Sequence, residues 1–140
     1  MTTTQTGHGH CLCGKVKITA NTMSKSVGAC HCKTCRRWGG GPFMTVDCQT
    51  DVAFESPEYI HTYDSSEWAE RGFCRHCGNH LFYKLKESGQ YFMPVGLFED
   101  DDSLIFDHQV FIDEKPDYYC FSNKTKDMTG AEIFAMFAPG

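Results

Sequence analysis

The chain has 140 residues, 41% of them hydrophobic, with 13 Lys and Arg against 18 Asp and Glu for a formal charge of −5. That length suits one compact domain, and the acidic balance argues against a nucleic-acid binder relying on bulk positive charge. Nine cysteines, an odd number, exclude complete pairing as disulfides within the chain.

Residues 1–6 read as a flexible polar tail, and the domain is expected over residues 7–140. No basic leader with an apolar centre opens the sequence, and no apolar run approaches the roughly 20 residues of a spanning helix. The expectation is therefore a soluble, cytoplasmic protein with no membrane or nucleic-acid partner. Val16 and Ile18 alternate with polar residues as in a half-buried strand. Residues 21–26 read as a loop, residues 27–32 as a short strand, and residues 33–38 as one helical turn stopped by Gly39-Gly40-Gly41-Pro42.

Residues 43–48, 52–55 and 59–63 carry strand composition. Residues 65–71 fit either a helical turn or a strand. Residues 80–85 and 90–95 flank Lys86-Glu87-Ser88-Gly89 as a hairpin, with Gly89 supplying the positive φ. The acidic run at residues 99–102 lacks EF-hand spacing and reads as a solvated loop. A short strand is expected at residues 110–112, an aromatic patch at 118–121, and an amphipathic helix at 129–137 ended by Pro139-Gly140. The fold class is mainly β, a small domain with short helical segments.

The cysteines carry the chemistry. Cys74-x2-Cys77-Gly78 has the form of a zinc knuckle, and Cys11-x-Cys13-Gly14 supplies a second pair, which together make four ligands of a closed structural site. Sixty residues intervene between Cys13 and Cys74, so such a site would fix topology. A rival assignment joins Cys74 and Cys77 to members of the Cys30 group. Cys30, Cys32 and Cys35 form a compact trio that fills three corners of a tetrahedron and leaves one for water or substrate. Cys48, Cys120, His31 or a more distant histidine would make that site structural by closing it; Cys48 and Cys120 otherwise read as buried fillers. The expected cofactor is zinc, two ions per chain.

Lys33, Arg36, Arg37 and Trp38 stand around the trio as candidate substrate-binding residues, suited to a small carboxylated thiol. A metal-held thiolate at the open corner could attack a small aldehyde. His31, His61, His76 and His108 are chemically able to supply the proton such a step needs.

From Gly9-His10-Cys11-Leu12-Cys13-Gly14-Lys15-Val16 through Cys30-His31-Cys32-Lys33-Thr34-Cys35-Arg36, Gly40, Tyr63, Ser65-Ser66, Arg71 and Phe73-Cys74-Arg75-His76-Cys77-Gly78, the sequence resembles the glutathione-dependent formaldehyde-activating enzyme family, also known as the family of centromere protein V, with its Mss4-like zinc-binding fold. The resemblance continues at residues 108–111 and Lys115-Pro116. It departs from the family pattern at Arg75, where a proline is usual, and at Gly96-Leu97-Phe98-Glu99-Asp100. What it implies is a structural zinc on Cys11, Cys13, Cys74 and Cys77 and a catalytic zinc on Cys30, Cys32 and Cys35. It also implies carbon–sulfur lyase chemistry, with glutathione and formaldehyde giving S-hydroxymethylglutathione. The competing classes are a non-catalytic protein-interaction module and a thiol or zinc sensor; exposed edge strands and the aromatic patch allow a homodimer.

Overall fold

A computed structural model describes residues 4–137. The expected helix stop at Pro139-Gly140 and residues 1–3 of the expected tail lie outside the described residues. The strands are β1 (Thr4–His10), β2 (Lys17–Ser24), β3 (Ser26–Cys30), β4 (Phe43–Asp47), β5 (Val52–Glu55), β6 (Ile60–Asp64), β7 (Ala69–Cys74), β8 (His80–Leu85), β9 (Tyr91–Pro94), β10 (Ile105–Val110) and β11 (Lys126–Met128). The helices are α1 (Lys33–Gly39) and α2 (Gly130–Phe137). Among the described residues no helix is long and apolar enough to cross a membrane.

Two sheets form. One holds three strands in the order β1-β2-β5, and the other eight in the order β11-β10-β3-β4-β9-β8-β7-β6. Neighbours are antiparallel except at one end of the large sheet, where β10 runs parallel to β3 and β11 parallel to β10. Val16, Ile18, Ala20 and Met23, in and just before β2, share one buried cluster with Val27, Val46, Leu81, Phe82 and Met93 of the large sheet. Each large apolar side chain buried there contributes about 1.5–3 kcal/mol.

The hairpin is as read from the sequence: β8 and β9 flank a turn in which Gly89 has φ 76°. Three segments differ. The strand that includes Ile18 extends through residues 21–24, where a loop was expected, because fully buried Met23 anchors its far half to the core. Residues 110–112 do not form a strand: β10 ends at Val110, and Phe111 turns the chain with φ 55°. The ordered chain begins earlier than Gly7, since Thr4 and Gln5 pair with Ser24 and Met23 and the Gln5 amide donates to the Asp100 carbonyl at 2.6 Å. The ambiguous stretch at residues 65–71 resolves into a loop followed by β7.

Candidate metal centres and the site beside them

Cys11 and Cys13 sit in the turn after β1, Cys74 at the end of β7, and Cys77 in the turn before β8. The two turns are built alike. Cys11 N donates to Val16 O at 3.0 Å and Cys74 N to Asn79 O at 2.9 Å; Gly14 N donates to Cys11 O and Gly78 N to Cys74 O. Gly14 and Gly78 close these turns at φ 81° and 79°, a left-handed conformation that strains other residues. The Asn79 carboxamide oxygen then accepts from Leu12 N at 2.8 Å and fastens one turn to the other.

The four thiols gather within 4.8 Å of one another, with Cys11 Sγ 3.5 Å from Cys13 Sγ and Cys13 Sγ 3.8 Å from Cys74 Sγ. Four sulfurs bound tetrahedrally to zinc at about 2.3 Å stand about 3.8 Å apart, so the donor set fits that ion. The rival grouping of Cys74 and Cys77 with the Cys30 loop is not the one the fold assembles.

Cys30, Cys32 and Cys35 form the second group, at the join of β3 and α1. Cys32 is the N-cap of α1, and its sulfur accepts the Cys35 N–H at 3.3 Å. Hydrogen bonds from Cys30 and then Cys35 push the Cys32 thiol down to about 2, and its bond to Cys32 pushes Cys30 up. Three close thiols competing for one negative charge are the chemistry of a cation site. Among the described residues no fourth His, Cys, Asp or Glu ligand atom joins the cluster. Cys48 is buried, its thiol pushed up to about 12 by burial and then by Asp47, whereas Cys120 is exposed rather than the buried filler expected.

His31 lies fully buried between two of these cysteines, yet it does not turn toward them. Its Nε2 lies 2.7 Å from Gln109 Oε1, which fixes the ring proton there, and Tyr119 O–H donates to Nδ1 at 2.8 Å. Gln109 Nε2 donates onward to Thr125 Oγ1, which donates to Asp127 Oδ1. Burial lowers the His31 pKa, in keeping with a neutral ring. Arg36 Nε donates to His31 O at 2.9 Å and pins the loop from the other side.

The sequence-predicted cations meet. Lys33, Arg36 and Arg37, with Tyr118, line an open groove of about 430 Å³ on the outer face of α1; no trio cysteine is among its lining residues. Trp38 faces the other way: it stacks on His80 at 3.6 Å and lies 5.0 Å from the Arg71 guanidinium carbon. Of the histidines considered as proton donors, His31 is locked, His61 packs on Phe73 and His76 on Tyr59. His108 meets Ser26 and Asp107, but both face the same ring nitrogen, Nδ1, whereas a nucleophilic triad uses opposite nitrogens.

Arg71 has a role that spacing alone does not display. It is only 4% exposed, its Nη2 lies 3.5 Å from Cys35 Sγ, and its guanidinium carbon stands over the Trp38 and Tyr83 rings at 5.0 and 4.9 Å. A buried cation is costly unless paired, and its hydrogen-bonded partner here is a trio sulfur. Two features held a signal: Arg71 is inward in β7 by the alternation from Ala69, and Cys74 ends the same strand. β7 therefore joins both cysteine groups.

A family model described as glutathione-dependent formaldehyde-activating enzyme matches residues 6–114. The chain belongs to this family. An uncharacterized lyase of Schizosaccharomyces pombe is 38% identical over 126 residues, covering 89% of the chain and 92% of that protein. A Phaeosphaeria nodorum protein provisionally named a glutathione-dependent formaldehyde-activating enzyme is 30% identical over 79 residues, which span 54% of the chain and 42% of that protein. The crystal structure of a Rhodobacter sphaeroides protein superposes with a TM-score of 0.58 at 24% identity, covering 66% of the chain and 88% of its own, and so supports the fold.

Proposed function

We propose that this family member is a zinc-dependent carbon–sulfur lyase acting on the adduct of a small thiol and a small aldehyde. The pair in the family's name, glutathione and formaldehyde, would give S-hydroxymethylglutathione. Cys11, Cys13, Cys74 and Cys77 would hold one zinc as a structural clasp, and Cys30, Cys32 and Cys35 a second. The observation that carries the reading is a cluster of three thiols, one ligand short of a tetrahedron, with the buried Arg71 guanidinium against one of them. When bound there, zinc would stabilise the thiolate of a substrate whose free thiol, with a pKa of about 8.5, is mostly protonated at neutral pH.

The chain's own residues supply position and charge. Lys33, Arg36 and Arg37 suit the carboxylates of a thiol such as glutathione, and Arg36, tied through Nε to His31 O, lines the groove from a fixed place. Tyr118 gives an apolar wall for the stem. Arg71 offsets the negative charge that three thiolates leave after neutralising a divalent ion. Holding thiol and aldehyde together favours reaction through effective concentration. The groove opens to solvent, which takes up or supplies the proton on the adduct oxygen.

The test is turnover of glutathione and formaldehyde by the zinc-loaded protein, followed by NMR of the hydroxymethyl carbon against the uncatalysed rate. The expected result is acceleration that disappears in Cys32→Ser. Saturable thiol binding without acceleration would overturn the enzyme reading in favour of an interaction module or a zinc sensor.

A further inference from the structure

The Arg71 guanidinium uses one of its three nitrogens: Nη2 reaches Cys35 Sγ, while Nε and Nη1 are buried without a hydrogen-bond partner among the described residues. Ser65 and Ser66, in the loop that leads into the same strand, also bury hydroxyl oxygens without partners. Buried donors are almost always satisfied, and a charged one left unpaired costs more than a neutral one. Such a cost is kept where a ligand completes the set.

The geometry points to Arg71 as the oxygen-binding residue of this site: its unpartnered Nη1–H, on the outer edge that Nη1 shares with Nη2, takes the aldehyde oxygen as that oxygen gains negative charge beside Cys35. The inference rests on the lyase reading and adds the group that holds the second substrate. A guanidinium is planar and rigid, so Nη1 is held in one plane and on one edge with Nη2, the nitrogen that meets the trio at Cys35. Its Cζ stands over the Trp38 and Tyr83 rings at 5.0 and 4.9 Å, contacts that use none of its N–H groups, so its hydrogen bonds are made at its edge. Trp38 is in turn backed by His80, stacked at an interplanar angle of 10°, and Tyr83 accepts from Trp68 Nε1 at 3.2 Å. Contact with both rings limits the motion of the guanidinium, and donors fixed before the reaction stabilise developing charge most effectively.

The step balances without an added reagent. A carbon–sulfur bond forms between the thiolate and the carbonyl carbon, the C=O π bond breaks, and its electron pair moves to oxygen. Arg71 stabilises that charge by hydrogen bonding alone. The oxygen takes its proton from solvent, and the reverse sequence releases the aldehyde. A cation held beside the oxygen also favours small carbonyl compounds over neutral electrophiles that develop no oxyanion.

Formate, an aldehyde-sized oxyanion, is the probe. In the zinc-loaded protein with glutathione bound, the Arg71 Nη1–H NMR signal, assigned by its contacts to the Trp38 and Tyr83 rings, should shift saturably with formate. Formate should also inhibit competitively against formaldehyde. Arg71→Gln should abolish that inhibition and lower kcat about 100-fold, with the KM for glutathione and the metal content per chain unchanged. Arg71→Lys, which keeps the charge but loses the fork, should retain metal and recover only part of the rate. An unmoved Arg71 signal, or a rate loss in both variants that merely follows metal loss, overturns the inference. Wild-type turnover with an Arg71 indifferent to formate removes this inference alone, whereas absence of wild-type turnover removes the lyase reading with it.

Discussion

Two clusters of the same side chain divide the molecule. The four thiols at Cys11, Cys13, Cys74 and Cys77 come from matched turns on strands of different sheets, closed by glycines and stitched by Asn79. The three at Cys30, Cys32 and Cys35 come from a single loop and helix start, backed by a buried histidine network on one side and a buried arginine on another. Distance along the chain explains the contrast. Ligands drawn from far apart close a long loop and so carry topology, while ligands from within six residues close almost none and leave the fold to stand without them. What the second cluster gains instead is surroundings: cations, aromatic walls and donors left open.

The largest expected effect breaks the first cluster. Cys77→Ser removes one corner of the clasp, and apparent zinc-binding energies of about 10–16 kcal/mol in small metal-organised folds are as large as the whole stability of a typical domain, about 5–15 kcal/mol. The variant should lose its cooperative melting transition by near-ultraviolet circular dichroism, as should the wild type with a strong chelator. A transition like that of the untreated protein would show that the clasp is not structural. Cys35→Ser is the matching change in the trio. It should keep a cooperative transition, lose one metal equivalent by elemental analysis and lose turnover; a collapse like that of Cys77→Ser would erase the division between the clusters.

Much of this division is legible in spacing. Cys-x2-Cys-Gly and Cys-x-Cys-Gly announce turns that aim sulfurs together, and a third local set is visible as separate. The hairpin at Gly89 is legible because φ 76° is a local demand that a glycine meets. What escapes is whatever depends on packing between distant segments. Arg71 reads along the chain as one more charged strand residue, because only the fold brings Trp38, Tyr83 and Cys35 around it. His31 is equally opaque, since its partners Gln109 and Tyr119 lie 78 and 88 residues away. β11 escapes too: three residues pairing parallel to β10 carry no period of their own.

A smaller effect sharpens the contrast at the groove. Lys33→Ala combined with Arg37→Ala should raise the KM for glutathione about 10-fold, a loss of about 1.4 kcal/mol, and fall on KM rather than kcat. Uncharged 2-mercaptoethanol should show no such change, because the exposed cations read carboxylate charge and that thiol has none. An equal loss for both thiols would mean that the groove shapes the trio and does not select its ligand.

The smallest expected effect lies behind the trio. Tyr119→Phe removes the O–H that donates to His31 Nδ1 at 2.8 Å and keeps the ring that stacks on it at 5.5 Å. A buried acceptor then loses its donor, at a cost of about 1–3 kcal/mol. The denaturation midpoint should fall accordingly, with the clasp unaffected. The more telling readout is metal exchange. His31 O holds Arg36, and the His31 ring is wedged between Gln109 and Tyr119, so a slackened ring loosens the segment that spaces Cys30 from Cys32. Chelator should therefore strip one metal equivalent faster than in the wild type and the other at the wild-type rate. Equal rates for both equivalents would show that the network steadies the fold as a whole and sets nothing specific to the trio.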